Sequence, residues 1–137
     1  MAKEFINPQA LPNWERTFTQ VITVSPVAPA RTVYISGQVA VDQDQNLIGD
    51  GDLAAQAMQA FRNLETALAA GGATTADVVR LNVYVKNYKP ENAAPVIEAL
   101  RRYFPHKQLP TSTWLGVQAL AKEGFLIEVD AVAIVEY

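Results

Sequence analysis

A chain of 137 residues and 15.0 kDa, with 11 basic and 14 acidic side chains, carries a formal net charge of −3 and fits one domain that buries about two-thirds of its unfolded surface. The lack of cysteine removes disulfides, thiolate zinc sites and cysteine nucleophiles, and the single histidine, His106, argues against a His-rich metal site or a Ser-His-Asp triad of the usual kind. A pI near 5.1 without a basic run disfavours a nucleic-acid surface, no apolar stretch reaches the roughly 20 residues of a membrane span, and a start of Met1-Ala2-Lys3-Glu4 without signal-like layout predicts a cytoplasmic location.

Residues 1–16, with Pro8, Pro12 and Asn13, read as an irregular arm. From 17 to 24, Phe18, Gln20, Ile22 and Val24 alternate with threonine and valine, which predicts a strand broken by Pro26 and Pro29. Thr32 to Ser36 is a β-branched and aromatic run stopped by Gly37, so a second strand is expected to form a hairpin with the first. Val41 to Asp52 is rich in Asp, Gln, Asn and Gly, the composition of a solvated loop.

Over 53–70 the apolar residues Ala54, Met58, Phe61, Leu64 and Leu68 recur at helical spacing, with Asp50 or Asp52 as the cap and Gly71-Gly72 as the stop. Val78 to Lys86 alternates strictly, Val79, Leu81, Val83 and Val85 against Arg80, Asn82, Tyr84 and Lys86, which predicts a strand with one face in a core. A second helix runs from Pro90 or Asn92 to Phe104, with Pro95 tolerable only in its first turn and Pro105 as its stop. Ser112 to Val117 and Phe125 to Val135 complete a ββαβαββ order: one α+β sheet with both helices on one face. The second face then carries Val, Ile, Tyr and Trp with no chain left to cover it, so oligomerisation is expected.

Chemistry is sparse. Glu128 and Asp130 lie two apart on the last strand, so their carboxylates project from one face about 7 Å apart, a spacing suited to a general acid and base. Val132 and Ile134 continue that face, and partial desolvation there would raise an acid's pKa. Arg16, Arg31 and Arg80 suit carboxylate anchoring through their guanidinium forks. His106 reads as a loop residue, and Gly49-Asp50-Gly51-Asp52 lacks the further ligands of a calcium loop.

Several blocks stand in a recognisable order. They are Ile35-Ser36-Gly37-Gln38-Val39, Asp52-Leu53-Ala54-Ala55-Gln56-Ala57, Asn63-Leu64, Ala70-Gly71-Gly72, Asp77-Val78-Val79, Asn82-Val83-Tyr84-Val85-Lys86 and Ile127-Glu128-Val129-Asp130-Ala131-Val132-Ala133. Over about residues 17 to 135 the chain resembles the RidA/YjgF family. The resemblance implies a chorismate mutase-like fold and a homotrimer with a central barrel-like core. It also implies clefts at subunit interfaces, where active members bind small imino acids. There an arginine grips the substrate carboxylate and a glutamate positions the water that attacks the carbon–nitrogen double bond.

Carried over position by position, the glutamate is Glu128 and the glycine of the Ser-Gly-Gln segment is Gly37. The family's cleft tyrosine becomes Phe18, Ser112 stands where the arginine should be, and Trp114 replaces a small cysteine or serine. A serine hydroxyl offers one neutral hydrogen bond, weaker than a charge-assisted bidentate pair by roughly 1 to 3 kcal/mol. Arg16, just before Phe18, offers a substitute grip from the opposite wall. The resemblance therefore implies a cofactor-independent, metal-free deaminase or hydrolase of an enamine, imine or related nitrogen compound. Glu128 would be catalytic, with Phe18, Gly37, Ser112, Trp114 and Arg16 binding the small molecule. The alternative is a non-catalytic trimer that binds a metabolite or a partner in the inherited cleft. Ribonuclease activity, sometimes attached to the family by name, is disfavoured by the lack of a basic stripe.

Overall fold

A computed structural model describes residues 2–25 and 28–136. Eight principal elements follow in order: β1 (Ala2–Ile6), β2 (Val21–Ser25), β3 (Ala30–Gln38), α1 (Leu53–Ala70), β4 (Val78–Lys86), α2 (Ala93–Tyr103), β5 (Thr111–Val117) and β6 (Ile127–Glu136). The arm is therefore not wholly irregular: its start is a strand, antiparallel to β2, with Lys3 opposite Val24 and Phe5 opposite Ile22. The strand expected at 17–24 begins only at Val21, because residues 17–20 complete a turn in which the Thr17 and Phe18 amides donate to the Trp14 carbonyl. Pro26, expected to break that strand, lies outside the described residues.

The expected hairpin does not form. β2 pairs with β1, and β3 pairs with β6, giving a two-stranded ribbon and a separate four-stranded sheet of order β3-β6-β4-β5 in place of one sheet. β3 also runs through Gly37 to Gln38, with a register shift between Ile35 and Gln38. The sheet is mixed, since β4 runs parallel to β5 and antiparallel to β6. Lys3 Nζ ties the ribbon to the sheet by donating to the Ile134 carbonyl at 2.8 Å, and Thr19 Oγ1 donates to the Leu109 carbonyl.

α1 forms over the expected residues. Asp52 Oδ1 accepts from the Ala55 amide at 3.1 Å, and Gly72, at φ +78, lets the chain leave the helix. Ala57, Ala60, Phe61, Leu64 and Leu68 are fully buried, whereas Ala54 turns out to be exposed. α2 begins after a short 3-10 turn at Pro90–Asn92 and buries Val96, Ala99 and Leu100. Both helices share one core with Leu81, Val83, Val85, Ile127, Val129 and Ala133, which confirms an α+β fold with its helices on one sheet face. In β4 a bulge between Val78 and Arg80 puts Val78 into the core and leaves Val79 half-buried, which shifts the expected alternation at its start. Gln56 is also fully buried. Its Nε2 donates to the carbonyls of Gly49 and Gly124, and its Oε1 accepts from the Leu126 amide at 2.9 Å.

Candidate functional site

Strand pairing decides which side chains meet. On the face away from the helices, Glu128 of β6 stands opposite Tyr84 of β4, and Asp130 opposite Asn82. Asn82 Nδ2 donates to Asp130 Oδ1 at 2.8 Å, and the Tyr84 phenol lies beside the same carboxylate. Arg80 donates to Thr113 on this same face. Burial first, and then the Asp130 carboxylate, raise the Glu128 pKa above its ordinary value. Burial and the same acid raise Tyr84 as well, so a neutral phenol lies beside the carboxylates.

Gly37 is brought to Glu128 by the irregularity late in β3. A Cβ there would lie 2.1 Å from Glu128 Oε2, so only glycine leaves the carboxylate in its place. The same face carries Tyr34, which is 78 % exposed, and half-exposed Leu115, so it stays uncovered as anticipated.

Ser112 and Trp114 do not join that group. In the parallel register Ser112 is paired with Leu81 and Trp114 with Val83, both core residues, so these side chains project to the helix face of the sheet. There they line a cavity of about 270 Å³ with Phe18, Trp14, Thr17 and Ile97. Trp114 Nε1 donates to Ser112 Oγ at 3.1 Å, and Trp14 stacks on Phe18 with ring centres 6.0 Å apart. Trp114 also packs on the core, so it serves both as core and as pocket wall.

Arg16 faces neither group. It lines a separate cavity of about 330 Å³ with Glu15, Arg101 and Lys107. Arg31 Nη1 donates to the Gly71 carbonyl at 3.0 Å and thus serves the end of α1. His106 Nε2 sits 2.9 Å from the buried Thr75 hydroxyl and lines another cavity beneath the ribbon with Phe5, Asn7, Glu15 and Lys107. Among the described residues no cluster of three metal-ligating side chains occurs, and no helix is long and apolar enough to cross a membrane.

Sequence reasoning missed Trp14, Ile97, Arg101 and Tyr84. Trp14 and Phe18 stand four apart, a spacing that a turn brings together, but assigning one to an arm and the other to a strand hid the signal.

The family described as Endoribonuclease L-PSP matches residues 12–135. A 2-iminobutanoate/2-iminopropanoate deaminase from Dermatophagoides farinae is 28 % identical over 134 residues, covering 98 % of both chains. One from Homo sapiens is 36 % identical over 104 residues, or 76 % of this chain and 73 % of its own. The crystal structure of the conserved Rid-family protein YyfB from Yersinia pestis is similar with a TM-score of 0.87 and 36 % identity, covering 97 % of this chain and 98 % of that one.

Proposed function

This chain belongs to the Endoribonuclease L-PSP family, the RidA/YjgF proteins, and on that footing we propose that it is a small-molecule deaminase that hydrolyses an imine or enamine to a carbonyl compound and ammonia. The names of its deaminase relatives support the reaction class. The observation in this chain that carries it is Glu128: a half-buried carboxylate with a raised pKa, set against Gly37 where no side chain competes for the space.

Glu128 accepts a proton from water as the water oxygen bonds to the carbon of the C=N group, and returns that proton to the nitrogen, so that the carboxylate is regenerated. The carbinolamine so formed collapses when the C–N bond breaks, the C=O bond forms and ammonia leaves with the hydroxyl proton. Burial and the neighbouring Asp130 charge, which raise the Glu128 pKa, keep the carboxylate basic enough for this transfer.

Glu128 with Gly37 and Ser112 with Phe18 and Trp114 lie on opposite sheet faces of one chain, so a cleft holding both sets draws its walls from two subunits. A chorismate mutase-like homotrimer with the uncovered faces turned inward supplies such clefts and covers Tyr34 and Leu115. Within the cleft, Phe18 and Trp114 receive an apolar body. Ser112 gives one neutral contact, which disfavours an ordinary 2-imino acid.

The test is ammonia release from a panel of imines and enamines generated in situ, with turnover expected for the wild type and lost in Glu128→Gln. Tight binding without turnover supports a second reading, a non-catalytic metabolite-binding trimer, which the serine at position 112 favours.

A further inference from the structure

We infer that the cavity between the turn at 14–18 and α2 is an anion subsite of the aromatic pocket, so that the ligand is an apolar-bodied acid whose carboxylate lies beyond the far end of its apolar part. This rests on the reading of the Phe18/Trp114 pocket as the ligand site. Two elements border both cavities. On the turn, Trp14, Thr17 and Phe18 line the aromatic pocket while Arg16 lines its neighbour. On α2, Ile97 lines the first and Arg101 the second, one helical turn on and about 6 Å along the axis.

The charge of this second cavity opposes that of the molecule. Arg16, Arg101 and Lys107 face a single carboxylate, Glu15, in a chain whose net charge is −3. A cation at the end of α2 suits the helix dipole, which accounts for Arg101 but not for Arg16 and Lys107, contributed by two other segments. Arg101 is half-buried and held by one bond, Nη1 to the His106 carbonyl at 3.3 Å. That uses one of the five N–H groups of the guanidinium, whose fork otherwise matches a carboxylate.

Both tryptophans of the chain line the aromatic pocket, so intrinsic fluorescence reports on it directly. The probes are 3-phenylpropionate and its neutral counterpart 3-phenylpropanol, titrated into the full chain. The expected result is a change in tryptophan emission with both and at least tenfold tighter binding of the acid, a preference that declines with added salt. Arg16→Gln/Arg101→Gln is expected to abolish the preference and to leave binding of the alcohol unchanged. Arg16→Gln/Lys107→Gln, at two exposed positions, is expected to reduce it by threefold or more even if loss of Arg101 disturbs folding. Equal affinity for the two probes in the wild type, or a preference that survives in both variants, overturns the anion subsite and leaves the aromatic pocket standing. No response to either probe overturns the pocket and the subsite together.

Discussion

Gly37 and Glu128 share a space that admits only one of their side chains: a Cβ on residue 37 would stand 2.1 Å from Glu128 Oε2 and 2.6 Å from its Cδ. The obstacle is the end of a flexible side chain, so Gly37→Ala is relieved by swinging the carboxylate aside and not by moving backbone. The expected outcome is a loss of at least tenfold in kcat/KM for imine hydrolysis with little change in melting temperature. Full activity in this variant, measured by ammonia release, would remove Glu128 from the reaction.

Ionisation of Glu128 couples to pH with a definite sign. Its folded pKa lies above the ordinary 4.5, through burial and then the charge of Asp130. The neutral form is thus better tolerated in the fold, so the associated stability is fully present below the unfolded pKa and is lost as pH rises through the folded value. Glu128→Gln mimics the neutral form, and is expected to melt with the wild type near about pH 4 and above it near about pH 7. The acid limb of kcat/KM is expected above the ordinary carboxylate range, and Asp130→Asn should move it down.

Ser112 and Trp114 together are expected to decide against 2-imino acids. Trp114→Ser makes room, and adding Ser112→Arg restores a charged fork for a carboxylate. The double variant should bind a 2-oxo acid, or turn over its imine, at least tenfold better than Trp114→Ser alone, consistent with the roughly 1 to 3 kcal/mol between neutral and charge-assisted bonding. Steady-state kinetics on 2-iminopropanoate check this.

Gln56 joins three backbone groups from two loops to the start of β6. Gln56→Leu keeps the volume but takes from the Gly124 carbonyl and the Leu126 amide their partner in a buried place, while the Gly49 carbonyl still accepts from the Asp52 amide. A loss of about 2 to 4 kcal/mol is expected in urea unfolding. A change within about 0.5 kcal/mol, the range of an ordinary surface substitution, would show that water replaces those bonds.

Tyr34 stands opposite Val132 on the edge strand β3 and lies exposed on the uncovered sheet face. A charge there has no partner once three such faces meet, so Tyr34→Glu is expected to convert a trimer into folded monomers, by light scattering for mass and circular dichroism for fold. Monomers in the wild type would remove the shared clefts.

Both helices and the cores of β4 and β6 were legible in the sequence, because their signals are local: Phe61, Leu64 and Leu68 repeat at 3.6 and Leu81, Val83 and Val85 at 2, and proline and glycine mark the ends. The family blocks carried Glu128 and Gly37 to one place, and the structure brings them into contact. What the sequence could not settle is whatever depends on partners far away in the chain. Alternation within β2 does not say that it pairs with β1 rather than β3, and alternation within β5 does not say whether Ser112 shares a face with Glu128 or with Leu81. The phase between two strands is set by their register, and a step of one residue exchanges every inward side chain for an outward one. That register separates the aromatic pocket from the acidic face within one chain, and the packing of the turn at 14–18 places Arg16 in one cavity with Arg101.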